Sequence, residues 1–161
     1  MDSLLVRQKL ERAFNVLIKN DFFLLMINVN ERTLTHRFAL YLENEFPEYN
    51  VDCEYNRDGI GRDPKRIGIL DQLGDVKADD SNGKTVYPDI IIHKRGTPIG
   101  IAVIEAKKSN TDDGLDREKL NHYKNELGYE NAFFVKFPIS ENANSEDLYE
   151  KFKTHNFIEE I

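Results

Sequence analysis

The chain has 161 residues, 40% hydrophobic and 11% aromatic, and a formal charge of −7 from 22 Lys and Arg against 29 Asp and Glu. A chain of this size buries roughly 70% of its unfolded surface, which suits one domain with a real core and excludes both disorder and a mini-protein. The acidic balance argues against bulk electrostatic attraction to nucleic acid, which ordinarily shows as a basic surface.

One cysteine, Cys53, permits no internal disulfide and fits a reducing cytoplasm, and His36, His93, His122 and His155 lack the spacing of zinc ligands. The longest apolar stretch, Phe22 to Val29 with Asn28 inside it, falls short of the roughly 20 residues of a membrane span. Met1-Asp2-Ser3 opens no basic-then-apolar leader. A cytoplasmic protein without membrane contact is expected.

In chain order, Leu4 to Asn20 carries Val6, Leu10, Ala13, Phe14, Leu17 and Ile18 at helical spacing, and the apolar stretch 22–29 reads as core. Asn30 caps a second helix with the stripe Leu34, Phe38, Tyr41, Leu42 and Phe46, closed by Pro47. Val51, Cys53 and Tyr55 alternate as a half-buried strand, with Cys53 expected inside. From Asn56 to about Thr85 the pattern dissolves into a long Gly-, Asp-, Lys- and Arg-rich loop. Val86 to His93 and Ile99 to Ala106 form a hairpin of strands buried on both faces. A third helix from about Asp113 to Leu127 stops at Gly128, Asn131 to Phe137 is a fourth strand, and Ser145 caps a final short helix through Leu148 and Phe152.

The expected architecture is therefore α/β: a mixed sheet of about four core strands with helices on both faces and a parallel crossover from Ile99 to Phe137. The domain divides into a helical extension over 1–30, a core over 31–137 and an acidic helix and tail over 138–161. Gly59 and Gly61 lack the third glycine and following helix of a dinucleotide-binding turn.

Two carboxylates stand inside strands that otherwise read as core: Asp89 in Tyr-Pro-Asp-Ile-Ile-Ile (87–92) and Glu105 in Ile-Ala-Val-Ile-Glu-Ala-Lys-Lys (101–108). A buried, unpaired charge costs several kcal/mol, so each needs a cation or a cage of hydrogen bonds. Strand alternation puts Glu105 and Lys107 on one face and Ala106 on the other. With Asp89 across the hairpin from Glu105, the pair would offer the oxygen-rich corner that Mg²⁺ prefers. Lys107 beside it could stabilise an anionic transition state, as phosphodiester hydrolysis requires.

Pro88-Asp89, a gap, then Glu105-Ala106-Lys107 on successive strands followed by a helix resembles the PD-(D/E)XK nuclease superfamily, the restriction-endonuclease-like fold. The resemblance covers roughly Glu31 to Phe137. It implies a metal-dependent nuclease with Asp89, Glu105 and the Ala106 carbonyl on Mg²⁺ or Mn²⁺, Lys107 as catalytic cation and Glu31, early in the helix, as an auxiliary acid. Some RecB-like members carry Gln-x-x-x-Tyr after the lysine; here Lys119 replaces the glutamine and Tyr123 is kept, and both are nucleic-acid-contact candidates by that resemblance. Glu54 is a secondary candidate, as an outer acid or a partner of Arg57.

Each of these residues also has a plain structural reading: Asp89 as a turn cap, Glu105 and Lys107 as an edge-strand ion pair, Glu31 as a dipole-favoured acid. Arg57, Arg62, Lys65 and Arg66 either clamp a phosphate backbone or form a solvated loop. The tail 138–161 holds six acids against Lys151 and Lys153, and 71–80 holds four against Lys77, so these two segments carry the whole acidic excess. The remainder is neutral, with basic residues near the proposed site. The expected protein is a cytoplasmic nuclease acting on DNA above all, as a minimal enzyme, a homodimer or a subunit of a defence or repair assembly. The rival expectation is a non-catalytic nucleic-acid-binding or scaffold protein that keeps the nuclease fold.

Overall fold

The computed structural model describes residues 1–55, 66–67, 84–85, 87–109, 114–140 and 145–161, with backbone alone for 66, 67, 84, 85, 153 and 154. Among the described residues, four helices and seven strands run in the order α1 (Ser3–Met26), α2 (Glu31–Glu45), β1 (Asn50–Cys53), β2 (Arg66–Ile67), β3 (Lys84–Thr85), β4 (Ile90–His93), β5 (Gly100–Lys108), α3 (Gly114–Glu126), β6 (Asn131–Phe137), α4 (Ser145–Thr154) and β7 (Ile158–Glu160). β2 and β3 pair with each other, inside the span expected to be loop. The remaining five strands form one open mixed sheet in the order β1-β4-β5-β6-β7, with β5 and β6 parallel and every other neighbouring pair antiparallel.

The all-apolar run Ile90-Ile91-Ile92 is buried because the sheet is covered on both faces. Ile90, Ile92, Ala102, Ile104, Ala106, Phe133, Val135 and Phe137 pack with residues of α1, α2 and α4. Ile91, Val103, Ala132 and Phe134 pack under Leu120 and Tyr123 of α3. Val6, Leu10, Phe14 and Leu17 of α1 belong to the first of these clusters, so the N-terminal segment is part of the core.

The apolar stretch after Asn20 continues α1 across a kink at Asp21 (φ −118°). The Asp21 carboxylate is anchored there, accepting hydrogen bonds from Arg37 Nε at 2.9 Å and Tyr41 Oη at 2.7 Å on α2. The C-terminal segment supplies a fifth strand, β7, beyond the four expected; three residues are too few to display an alternation. Cys53, expected inside, is exposed at the end of β1, where Glu54 turns the chain with φ 50°. Among the described residues no helix is long and apolar enough to cross a membrane.

α2 begins where expected: the Asn30 side chain accepts from the Thr33 backbone N–H at 2.8 Å and from its hydroxyl at 2.9 Å. Losing such a cap costs about 1 kcal/mol. Asn30→Ala is therefore expected to lower stability by about that amount in urea unfolding, with Asn30→Ser close to wild type.

Candidate active site

The β4–β5 register, Ile90 opposite Ile104 and Ile91 opposite Val103, continues to set Asp89 opposite Glu105. Asp89 lies just before β4, and its Oδ2 accepts the Ala106 backbone N–H at 2.8 Å, which fixes the carboxylate against β5. Glu105 is 2% exposed, beneath α3. Its Oε1 is fully enclosed without a hydrogen-bond partner, while the Tyr123 hydroxyl is turned to the carboxylate and favours its ionised form. The two acids expected to act together are thus brought together.

Glu31, the first residue of α2, reaches the far end of β5. Its Oε1 lies 3.3 Å from Lys107 Nζ, and its Oε2 accepts the Lys108 backbone N–H at 3.1 Å. The side chain of Lys108 donates to Asn28 Oδ1 at 2.8 Å, just ahead of the same helix.

Asp116, which the sequence reading did not single out, completes the cluster. It is 5% exposed and stands between the two lysines, with Oδ2 3.4 Å from Lys107 Nζ and Oδ1 2.6 Å from Lys119 Nζ. Lys119 Nζ also lies 4.0 Å from Glu105 Oε2. Asp116 precedes Leu120 by four residues and Tyr123 by seven, so the inward stripe of α3, traced one turn back, contained the signal.

Tyr123 is 1% exposed; with its hydroxyl on Glu105, it addresses the carboxylate, and Lys119 is turned toward the same group. Glu54 pairs with Arg32 at 3.2 Å, and its backbone N–H donates to the Asp89 carbonyl at 3.2 Å. At the hairpin tip, Arg95 and His93 are both engaged by Asp52, His93 at 2.8 Å. Arg57, Arg62 and Lys65 lie outside the described residues, and Arg66 is described only as backbone of β2. A cavity of about 430 Å³ opens beside Asp89, lined by Glu31, Arg32, Thr35, His36, Cys53 and Glu54.

Burial, then the facing Asp89, holds the Glu105 carboxyl well above the ordinary glutamate value. Asp89 is raised too: burial and the charges of Glu31 and Asp116 outweigh the Ala106 N–H and Lys107, which favour ionisation. Burial pulls Lys107 and Lys119 down, but the surrounding carboxylates prevail and both are raised. Both therefore stay ammonium ions at neutral pH, suited to holding negative charge and unsuited to accepting a proton. Burial and nearby carboxylates push the Cys53 thiol up to about 11, against a nucleophilic role. Among the described residues no group of three or more His, Cys, Asp or Glu side chains is set to hold a metal ion. No protein-family model matches this chain, and no curated protein or solved structure matches it significantly.

The pH dependence of folding has a definite sign. Above the ordinary glutamate value of 4.5, the unfolded chain has released the Glu105 proton while the native state retains it. Stability therefore falls as pH rises toward the folded value, by about 1.4 kcal/mol for each unit of displacement. In thermal unfolding from pH 4.5 to about pH 8, Glu105→Gln is expected to flatten this decline, leaving the part due to Asp89, and to unfold above wild type at neutral pH. An unchanged slope would refute the assignment.

Proposed function

We propose that the chain is a metal-dependent nuclease that hydrolyses phosphodiester bonds, of DNA above all, on a restriction-endonuclease-like version of its mixed α/β sheet. The observation that carries the reading is Glu105: a carboxylate inside a core strand, one oxygen without a partner, facing a second carboxylate at Asp89. A buried acid left in that state is costly for a purely structural role and suits a cation ligand.

The residues fit Mg²⁺ or Mn²⁺, since such ions are commonly held by one or two carboxylates and keep several waters. Asp89 and Glu105 would hold the ion, with the Ala106 carbonyl as a third oxygen. When bound, the ion would supply an acidified water and offset phosphate charge.

The chain's own groups have separable tasks. Lys107, kept cationic by Asp116 and Glu31, stabilises the charge that builds on the attacked phosphate. Glu31, tied to Lys107 and to the Lys108 backbone, positions that ammonium. The Ala106 N–H holds Asp89 in place. Arg57, Arg62, Lys65 and Arg66 are the proposed contacts to the nucleic-acid backbone, through charge that added salt would screen.

A second reading, a binding or scaffold protein retaining this fold, is favoured by the two lysines, which already offset Glu31, Glu105 and Asp116. Cleavage of single-stranded, duplex and branched DNA and of RNA, with Mg²⁺ or Mn²⁺, separates the two. The nuclease reading expects cutting that Glu105→Ala and Lys107→Ala each reduce at least about a hundredfold. It also expects a calorimetric Mn²⁺ signal that Asp89→Ala removes. Equal cutting by the variants, or no cutting and no heat, would overturn it.

A further inference from the structure

Lys119 is half-buried, held at 2.6 Å by Asp116 of its own helix and set 4.0 Å from Glu105 Oε2. Among the described residues, Glu105 faces the Tyr123 hydroxyl and the Lys119 ammonium. Lys107, two residues along the same strand, is committed to Glu31 and Asp116. The two lysines thus divide the work, with Asp116 anchoring both and, among the described residues, Lys119 reaching toward Glu105.

We infer that Lys119 is a resident counter-cation that occupies the charge environment of Glu105 and competes there with a divalent ion, so that Asp116–Lys119 sets the metal affinity of the site. The inference rests on the metal-site reading above and adds a regulating residue to it. A single ammonium beside a buried carboxylate offsets its charge and repels an approaching dication across a poorly screened space. Because Lys119 rides on α3 while Glu105 is on β5 and Asp89 just before β4, a shift of its long, flexible side chain would change the affinity without moving Asp89 or Glu105.

The experiment is Mn²⁺ calorimetry on the full chain, with thermal unfolding in chelator alongside. Lys119→Met removes the charge and keeps the apolar stem; Lys119→Gln also keeps a hydrogen-bond donor for Asp116, should the first variant fold poorly. Both are expected to bind Mn²⁺ about tenfold more tightly than wild type, or more, and to unfold at a lower temperature in chelator with the loss restored by Mn²⁺. A lysine that only braces α3 would lower the unfolding temperature without raising metal affinity. Mn²⁺ binding by the variants that is equal to or weaker than wild type overturns the inference and leaves the metal site standing. No Mn²⁺ binding by any of the three proteins overturns both, whereas binding by the variants alone supports the inference and counts against the wild-type chain as a metal-dependent enzyme.

Discussion

The constraint on which the site end of the molecule depends is an acid at the centre of a buried strand. Glu105 stands among Ile101 to Ala106, all enclosed by helices on both faces of the sheet. A charge placed there without partners would cost several kcal/mol, a large share of the stability of a domain this size. Three elements meet around it, and α3 answers that cost with Lys119 and Tyr123, which favour the ionised carboxylate. α3 presents Asp116, Lys119 and Tyr123 along one face, at spacings of three and four. The start of α2 brings Glu31 to the end of β5, and the turn before β4 sets Asp89 alongside.

The same arrangement explains why each element begins where it does. The Asn30 cap places Glu31 in the first turn of α2, where the dipole favours an acid, and so within reach of Lys107 and the Lys108 amide. The kink at Asp21 lets α1 follow α2 while its carboxylate holds Arg37 and Tyr41. At the opposite end of β4, Asp52 gathers His93 and Arg95. Two of the hairpin-tip side chains, His93 and Arg95, are engaged there.

What was legible in the sequence was what short-range periodicity records. Ile90-Ile91-Ile92 announces a strand covered on both sides, Asn30 followed by Leu34 and Phe38 announces a capped helix, and Asn131 to Phe137 is a strand at the same bounds. Asp89 and Glu105 stood out because they interrupt such patterns, and register brings them together. Asp116 did not stand out, because an acid in the first turn of a helix is unremarkable until the lysines around it are placed in space. β7 and the exposure of Cys53 depend on which strand lies at a sheet edge, a property of the assembled sheet that no local pattern carries. Glu54, with φ 50°, pairs with Arg32 on α2, a contact that no local pattern in the sequence announces.

The charge count at the site joins these threads. Glu31, Asp89, Glu105 and Asp116 would carry four negative charges if all were ionised, against the two positive charges of Lys107 and Lys119. Among the described residues, that leaves a deficit of two charges in a partly desolvated cluster. Without another cation, protons meet part of that deficit: burial above all, and the neighbouring carboxylates after it, displace Asp89 and Glu105 upward. Under the proposed function, one dication would meet it in full, displacing those protons and returning both carboxylates to their ionised form. The unmatched charge thus adds to burial in displacing the two acids upward, and under the proposed function it is what a divalent ion would answer, at the end of the sheet where β5, α2, α3 and the turn before β4 bring these residues together.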